Sequence, residues 1–332
     1  PKTAWPPTFD IRDLTVRFDT DSGVVHAVNH LNMQLEEGKA LGFVGETGAG
    51  KTTTALAILQ LIQSPPGEIT SGEIWFKGQN VREMTEAELR NMRGREIAMI
   101  FQDPMTSLNP IMTVEEQIME MIALHSDLKG SEVRERALEM MRLVGIRPER
   151  AKDYPHQFSG GMRQRVGIAI ALACKPSLLI ADEPTTALDV TIQAQVLELI
   201  KELQKQVKTS MLLITHDLGI VAETCDSVAI MYAGRLVEYA DIQHLYGNPL
   251  HPYTQGLFNA VPDLESPIGE KLAVIQGLPP DPTNLPRGCC FSPRCPYARE
   301  ECLKKPCGMR EIEPGHFIDC YFPHRYEGGS RA

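Results

Sequence analysis

The chain has 332 residues, enough for two domains or for one large domain with additions, and 42% of its residues are hydrophobic. No apolar run approaches the roughly 20 residues that a membrane-spanning helix needs, and the composition is that of an ordinary soluble globular protein. The formal net charge of −10 disfavours non-specific binding to nucleic acid or anionic lipid, so any membrane contact is expected through a protein partner.

The first part of the chain predicts strands followed by a glycine-rich loop. Residues 1–9 carry no basic segment followed by an apolar one, so the sequence predicts no signal peptide and, by default, a cytoplasmic location. Residues 9–18 and 24–35 alternate as strands do, and residues 40–44 read as a short buried strand. Helical periodicity follows over residues 51–63, which gives the order strand, glycine-rich loop, helix.

Strands and helices alternate through the rest of the first 240 residues, which predicts a mainly parallel sheet with helices on both faces. The predicted strands are residues 72–78, 97–101, 177–181, 211–215 and 227–232. The predicted helices are residues 131–144, 160–173, 190–207 and one from 218 onward. Thr113 with Glu116 resembles a capping box that begins a further helix.

Three subdivisions of the chain follow from this order. Strand pairs near the N-terminus suggest an antiparallel strip at one edge, and a helical insert is expected at about residues 103–165. Pro and Gly become denser after Leu245, so we predict a first domain at residues 1–240 and a C-terminal extension at 241–332, with a cysteine-rich site at 289–320.

The glycine-rich loop fits the phosphate-binding pattern G-x-x-x-x-G-K-S/T. Its glycines let backbone N–H groups point at phosphate oxygens, and the helix that begins near Lys51 adds its positive end. Lys51 is expected to contact the β and γ phosphates of ATP, and the Thr52 hydroxyl to ligate Mg²⁺. The predicted nucleotide-binding residues of this loop are Gly45, Glu46, Thr47, Gly48, Ala49, Gly50, Lys51, Thr52 and Thr53.

Polar residues at three predicted strand ends suggest catalytic roles. Asp182 and Glu183 end an apolar strand, where ligands bind in such sheets, so Asp182 is expected to hold Mg²⁺ and Glu183 to activate water as general base. His216 can contact the γ-phosphate and position Glu183, and Gln102 can touch the metal or the water. The plainer alternatives are a solvated acidic strand end and a histidine at a helix N-terminus.

A second phosphate-binding element is predicted at Ser159-Gly160-Gly161. Ser159 fits the N-cap of the next helix, whose free N–H groups suit an anion, although a plain N-cap is the alternative. One subunit has little use for two such elements on one nucleotide, so the pair implies a dimer with ATP at the interface. Phe18 is a candidate for stacking on adenine, or a core aromatic.

Taken together, these segments resemble the nucleotide-binding subunit of an ABC transporter over residues 9 to about 240. The matching motifs, in chain order, are Walker A (Gly45–Thr52), the Q-loop (Gln102), the signature (Ser159-Gly160-Gly161), Walker B (Asp182-Glu183), the D-loop (Leu188-Asp189) and the H-loop (His216). Phe158 and Met162 replace the usual Leu and Gln of the signature. The resemblance implies an α/β P-loop NTPase (RecA-like) core and a head-to-tail dimer whose ATP sites Asp189 links.

A narrower resemblance covers nearly the whole chain. Residues 101–110, residues 251–254 and the cysteine-rich tail are similar to those of oligopeptide and dipeptide importer ATPases, and nickel importers share the tail. The resemblance implies uptake of short peptides at the cytoplasmic face of the membrane. It also implies a second ABC ATPase subunit, two permeases and a peptide-binding protein as partners. The helical insert is expected to receive a short permease helix.

Six of the eight cysteines fall between Cys289 and Cys320, and clustered cysteines in a reducing compartment indicate a metal or cluster site. The resemblance implies a 4Fe–4S cluster on Cys289, Cys295, Cys302 and Cys320. Four thiolates suit Zn²⁺ equally, with His316 as a further zinc-compatible residue or, more plainly, a surface one. Cys290 and Cys307 are surplus and suited to replace a ligand, and disulfides are the remaining alternative. Cys174 and Cys225 are predicted to be isolated buried thiols.

Three other functions remain open on the sequence. One is an ABC importer ATPase for nickel or another small solute. Another is an ABC-type ATPase outside transport, although such proteins usually carry a coiled-coil insert or two fused ATPase units. The third is a non-catalytic docking subunit, against which Lys51, Glu183 and His216 argue.

Overall fold

The structure is a computed structural model that describes residues 7–103, 107–186, 188–260 and 274–326. Its strands are β1 Pro7–Thr20, β2 Gly23–Glu36, β3 Ala40–Val44, β4 Gly67–Phe76, β5 Gln79–Asn80, β6 Ile97–Ile100, β7 Leu178–Asp182, β8 Ser210–Thr215, β9 Ser227–Tyr232, β10 Arg235–Asp241, β11 Arg310–Glu313 and β12 His316–Ile318. Its α-helices are α1 Lys51–Ile58, α2 Glu86–Met92, α3 Val114–His125, α4 Ser131–Leu143, α5 Gly160–Leu172, α6 Val190–Val207, α7 Leu218–Thr224, α8 Ile242–Gly247, α9 Pro252–Asn259 and α10 Glu300–Lys304.

The chain divides into two compact units, which are described separately. The first unit consists of the residues up to Phe9 together with Gln34–Ala40 and Trp75–Ile214. The second unit consists of Asp10–Met33, Leu41–Ile74 and the residues from Thr215 onward. The predicted domain boundary at residue 240 is a different division and stays a prediction.

In the first unit, β6, β7 and β8 form a parallel sheet, with Ile97 opposite Leu178 and Ile180 opposite Leu212. Every residue of β7 and β8 is buried, as expected for strands with covered faces. Helices α3, α4 and α5 pack on one another and form the predicted helical insert. The capping box at its start is present, because Thr113 Oγ1 accepts from the Glu116 N–H and the Glu116 carboxylate accepts from the Thr113 N–H.

In the second unit, β3 runs parallel to β9, and β9, β10, β12 and β11 follow one another as antiparallel neighbours. A separate sheet places β1 between β2 and β4. Strands β1 and β2 are joined by a two-residue turn, which only antiparallel neighbours allow. The mainly parallel α/β core with an antiparallel edge is therefore confirmed.

Two predicted element boundaries are wrong. Helix α1 ends at Ile58 rather than at residue 63, because the chain turns at Gln60, whose φ is +51° and whose side chain donates to the Ala57 carbonyl. Strand β4 begins at Gly67 rather than at residue 72. Gly72, predicted as the first residue of the strand, lies within it with φ +93°, and a Cβ there would approach the Asp13 carbonyl oxygen to 2.5 Å.

The segment after residue 240 contains more regular structure than its weak periodicity predicts. Helices α8, α9 and α10 and strands β11 and β12 all lie there. No helix in the described ranges is both long and apolar enough to cross a membrane. Residues 104–106 of the Q-loop resemblance lie outside the described part of the chain.

Candidate nucleotide site and cysteine site

The phosphate-loop candidate joins β3 to α1, and close approach of the backbone requires its glycines. Gly50 has φ +105°, and a Cβ there would lie 2.3 Å from the carbonyl oxygen of Ala27. A Cβ on Gly45 would lie 2.2 Å from the carbonyl oxygen of Met231. Only glycine fits both positions without moving the backbone, so the conformation of this loop depends on its glycines.

Lys51 lies inside this loop. Its Nζ donates to the carbonyl oxygens of Gly45 at 2.6 Å and Glu46 at 3.1 Å, and the residue is only 5% exposed. The loop is tied to its surroundings through Ala49, whose carbonyl accepts from the Gly234 N–H at 2.9 Å. Thr52 is exposed at the start of α1, where its hydroxyl is open to a metal ion. The loop thus holds a buried cation and an open hydroxyl at a helix N-terminus.

In the first unit, Asp182 and Glu183 stand at the carboxyl end of β7. Asp182 is the last residue of the strand and is 3% exposed. The Glu183 Oε2 accepts from Gln102 Nε2 at 3.0 Å and from Thr186 Oγ1 at 2.9 Å. These bonds orient the carboxylate, and Glu183 itself has the unusual φ of +42°. The sequence does not indicate a role for Thr186, because no motif includes it.

The signature candidate is an exposed turn at the start of α5. Ser159 is the N-cap, its Oγ accepting from the Met162 N–H at 3.4 Å, and both Ser159 and Asp189 are exposed. A Cβ on Gly161 would come within 2.5 Å of Ile192 Cγ2 on α6, so the glycine lets α5 approach α6 closely. The turn and the start of α6 are neighbours and both are exposed to solvent; Val190 in α6 is 82% exposed.

The two unusual signature residues pack around one arginine. Phe158 is 3% exposed and lies beneath the Arg150 guanidinium, whose carbon is 4.2 Å from the ring centroid. The Arg150 Nη1 also donates to Met162 Sδ at 3.4 Å. Phe158 and Met162 therefore contact Arg150 within the helical insert. The N-cap hydrogen bond of the Ser-Gly-Gly turn is still present.

Two other predicted nucleotide residues lie in the second unit. His216 is exposed and directly follows β8. Phe18 is half-buried in β1, where its ring faces Gly67 so closely that a Cβ there would be 2.7 Å from Cε1. The predictions that join the two units, such as His216 with Glu183 and Lys51 with Asp182, stay predictions, as does stacking of Phe18 on adenine.

The cysteine tail lines a small, partly open cavity of about 20 Å³. The four predicted ligands line it, together with Cys307 and the rings of Phe291, Tyr321 and Phe322. The Cys289 N–H donates to the Cys302 carbonyl at 2.8 Å. Sequence spacing alone did not show that Cys307 shares this cavity. Cys290, the other surplus cysteine, is buried apart from it.

The chemistry of these thiols fits a thiolate-ligated group. Burial, with a smaller contribution from neighbouring thiols, raises the pKa of Cys289 and Cys320 to about 12. Burial also raises the pKa of Cys295 and Cys307. Such thiols stay protonated on their own and ionise when a metal replaces the protons. All eight cysteines are free thiols, which speaks against the disulfide alternative.

Within the described ranges, no three His, Cys, Asp or Glu side chains form a group that could hold a metal ion, so the cysteine ligand set stays a prediction. His316, the additional zinc-compatible residue, is fully buried, and its Nε2 lies 2.7 Å from Glu238 Oε1. Its prediction as a surface residue is wrong, because this pairing with a buried carboxylate keeps it inside. Glu238 also accepts from the backbone N–H groups of Leu250 and His251 and so anchors the start of α9.

Comparison with known proteins gives the class to which this geometry belongs. Residues 28–186 match the family model described as ABC transporter, and residues 237–302 match the one described as oligopeptide/dipeptide transporter, C-terminal region. The dimeric structure of the ATP-binding cassette MJ0796 in a post-hydrolysis state bound to ADP and Pi is similar. It has a TM-score of 0.64 at 26% identity, with 70% of this chain and 98% of that chain covered.

Relatives match over almost the full length. The chain is 49% identical to the oligopeptide transport ATP-binding protein OppD of Bacillus subtilis, with 95% of this chain and 88% of that protein covered. It is 49% identical to OppD of Escherichia coli (95% and 93% covered) and 45% identical to the dipeptide transport ATP-binding protein DppD of B. subtilis (94% and 93% covered). The chain therefore belongs to the ABC transporter ATP-binding family, in the group that carries the oligopeptide/dipeptide C-terminal region.

Proposed function

We propose that this chain binds and hydrolyses ATP to power the import of short peptides through membrane permeases. The observation that carries the proposal is the Glu183 carboxylate, fixed by Gln102 and Thr186 beside buried Asp182 at the end of β7. The peptide substrate class is supported by the oligopeptide and dipeptide transport names of the full-length relatives and by the matching C-terminal region.

The residues of the nucleotide site divide the chemistry among them. Lys51 neutralises phosphate charge, and the N–H groups of the loop and of α1 bind phosphate oxygens. Thr52 and Asp182 would hold Mg²⁺, which when bound spreads the charge that develops on the phosphate oxygens. Glu183 accepts the proton of the attacking water, and the amide of Gln102 orients that carboxylate for the transfer.

The exposed Ser159 turn supports assembly with a second ABC ATPase subunit. A helix N-terminus with an exposed serine suits the phosphates of a nucleotide bound to the facing subunit. Asp189, exposed at the start of α6, lies at the same region of its unit and would connect the two sites. Two permeases, an indirectly associated peptide-binding protein and a peripheral place at the cytoplasmic face of the membrane complete the proposed transporter.

The ATPase proposal is tested by comparing the native chain with Glu183→Gln, in the complex with its permeases. We expect Mg²⁺-dependent ATP turnover to fall by about a thousandfold, in the range for loss of a general base, while ATP binding is retained and a closed dimer accumulates. Transport of defined di- and oligopeptides, with nickel as the competing solute, identifies the cargo. Unchanged turnover in Glu183→Gln contradicts the role of Glu183 as general base. Transport of nickel instead of peptides contradicts the peptide substrate class.

For the tail, we propose a 4Fe–4S cluster on Cys289, Cys295, Cys302 and Cys320. The supporting observations are the shared cavity and the four free, partly or fully buried thiols. Four thiolates suit a tetrahedral zinc ion equally well, so zinc is the alternative.

Purification without oxygen tests this assignment. We expect a brown protein that contains iron and acid-labile sulfide and that loses both in Cys295→Ala. A colourless protein with one zinc ion per chain contradicts the cluster and supports the zinc alternative.

A further inference from the structure

An arginine of the cysteine-rich tail reaches the phosphate loop within the second unit. Arg294 precedes Cys295 in the chain, and its Nη1 donates to both carboxylate oxygens of Glu46, at 3.1 Å and 2.9 Å. The Arg294 side chain is 6% exposed and that of Glu46 is 27% exposed. This ion pair is thus largely shielded from water, and salt screens such pairs less than exposed ones.

The tail holds Arg294 in one orientation. Its Nε donates to the Gln276 carbonyl at 3.1 Å, its Nη2 to the Ile275 carbonyl at 3.3 Å, and its Nη1 also to the Tyr232 hydroxyl at 3.3 Å. Burial opposes the charge, but the bonds to Glu46 and Tyr232 outweigh it and raise the pKa of Arg294. Arg294 therefore presents a fixed positive charge to the loop.

Helix α9 of the C-terminal extension also contacts the backbone of Glu46. The Glu46 N–H donates to the Tyr253 hydroxyl at 3.0 Å. The rings of Tyr232 and Tyr253 both contact Phe291, with centroids 5.2 Å and 5.5 Å away. Phe291 lines the cysteine cavity. A continuous set of contacts thus runs from the cysteine site to the second residue of the phosphate loop.

The charge of Glu46 explains why this contact matters for nucleotide binding. A carboxylate in a phosphate loop lies close to a triphosphate and repels it. The Arg294 guanidinium neutralises the carboxylate and holds it by two hydrogen bonds. Loss of Arg294 would leave the Glu46 charge in the loop, next to Lys51, whose Nζ already donates to the Glu46 carbonyl.

We propose that Arg294 is a positioning residue by which the cysteine-rich tail sets the affinity of the phosphate loop for ATP. It acts by neutralising and orienting Glu46 and touches neither the nucleotide nor the attacking water. The inference rests on the proposed function in one respect, that ATP is the ligand of the loop. It assigns the tail a role in nucleotide binding in addition to holding a cluster.

The test compares equilibrium binding of Mg-ATP and steady-state turnover in four chains, each in the permease complex with its iron content measured. They are the native chain, Arg294→Ala, Arg294→Ala with Glu46→Gln, and Arg299→Ala. Arg299 is the matched control, because it is an exposed arginine of the same tail that stacks on Phe322, 4.2 Å from its centroid.

For Arg294→Ala we expect the ATP dissociation constant and KM to rise roughly tenfold, with kcat within about twofold of native. Adding Glu46→Gln should recover most of the lost affinity, because the repelling charge is gone. Arg299→Ala should bind as the native chain does. The recovery is the decisive readout, since a tail that had merely misfolded would not regain affinity from a change in the loop.

Two results overturn the inference. One is native affinity in Arg294→Ala, and the other is a loss of affinity that Glu46→Gln leaves unchanged. Either result leaves the proposed function standing, because the native chain still binds and hydrolyses ATP. If the native chain itself fails to bind Mg-ATP, the proposed function fails and this inference falls with it.

Discussion

Cys225 shows how burial alone decides the reactivity of a residue. Burial raises the pKa of its thiol to about 12, against a weaker opposing effect of the Thr224 hydroxyl. Because the thiolate is the reactive form, very little of the Cys225 thiol is reactive at pH 8. We expect iodoacetamide to label Cys225 far more slowly in the native chain than in urea, with the native rate rising as the pH approaches 12. Mass spectrometry measures the labelling. Equal rates in the native chain and in urea would show that the Cys225 thiol is accessible in the native structure.

Sequence alone suggests a role for a residue where a local motif and its chemistry coincide. Lys51 and Asp182 belong to short patterns whose function depends on neighbours in the chain. Arg294 and Thr186 belong to no such pattern. Arg294 meets Glu46, 248 positions away in the chain, and this pairing exists only after folding. His316 was misplaced for the same reason, because its partner Glu238 lies 78 positions away.

Helix α3 illustrates how one face of an element carries its stability. Ile118 is fully buried within the helical insert, whereas Leu124 on the same helix is 71% exposed. We expect Ile118→Ala to lower the free energy of unfolding by about 2–5 kcal/mol, through lost burial and the cavity left behind. Leu124→Ala removes an equally apolar side chain and should stay within about 0.5 kcal/mol of native. Urea denaturation measures both, and equal effects would place Ile118 outside the core.

Elements were predicted well where periodicity is strong and poorly where termination is hidden. The buried strands β7, β8 and β9 and the long helix α6 lie within one residue of their predicted bounds. Helix α1 ends early at Gln60, a left-handed position that usually indicates glycine and here carries a glutamine. Strands β11 and β12 are short and pair in the order β10, β12, β11. Because they depend on pairing with a partner strand, their sequences show little of the alternation that would predict a strand.

At the scale of the whole molecule, the two resemblances assign different parts of the chain to different tasks. The nucleotide motifs lie between residues 45 and 216 and could be recognised from sequence, because each one is a short pattern typical of phosphate or metal binding. The cysteines of the tail predict a metal site, and this stays a prediction. The contact of the C-terminal extension with the phosphate loop could not be predicted from sequence, because Tyr253 and Arg294 reach the loop only through tertiary structure.

The proposed mechanism requires that two ATPase subunits share each bound nucleotide. Electron cryo-microscopy of the Glu183→Gln transporter, saturated with Mg-ATP, tests this most directly. We predict that Ser159 Oγ of this chain lies within hydrogen-bonding distance, about 3 Å, of a phosphate oxygen of the ATP bound to the facing subunit. A closed, fully loaded complex whose Ser159 turn contacts no nucleotide would contradict the account.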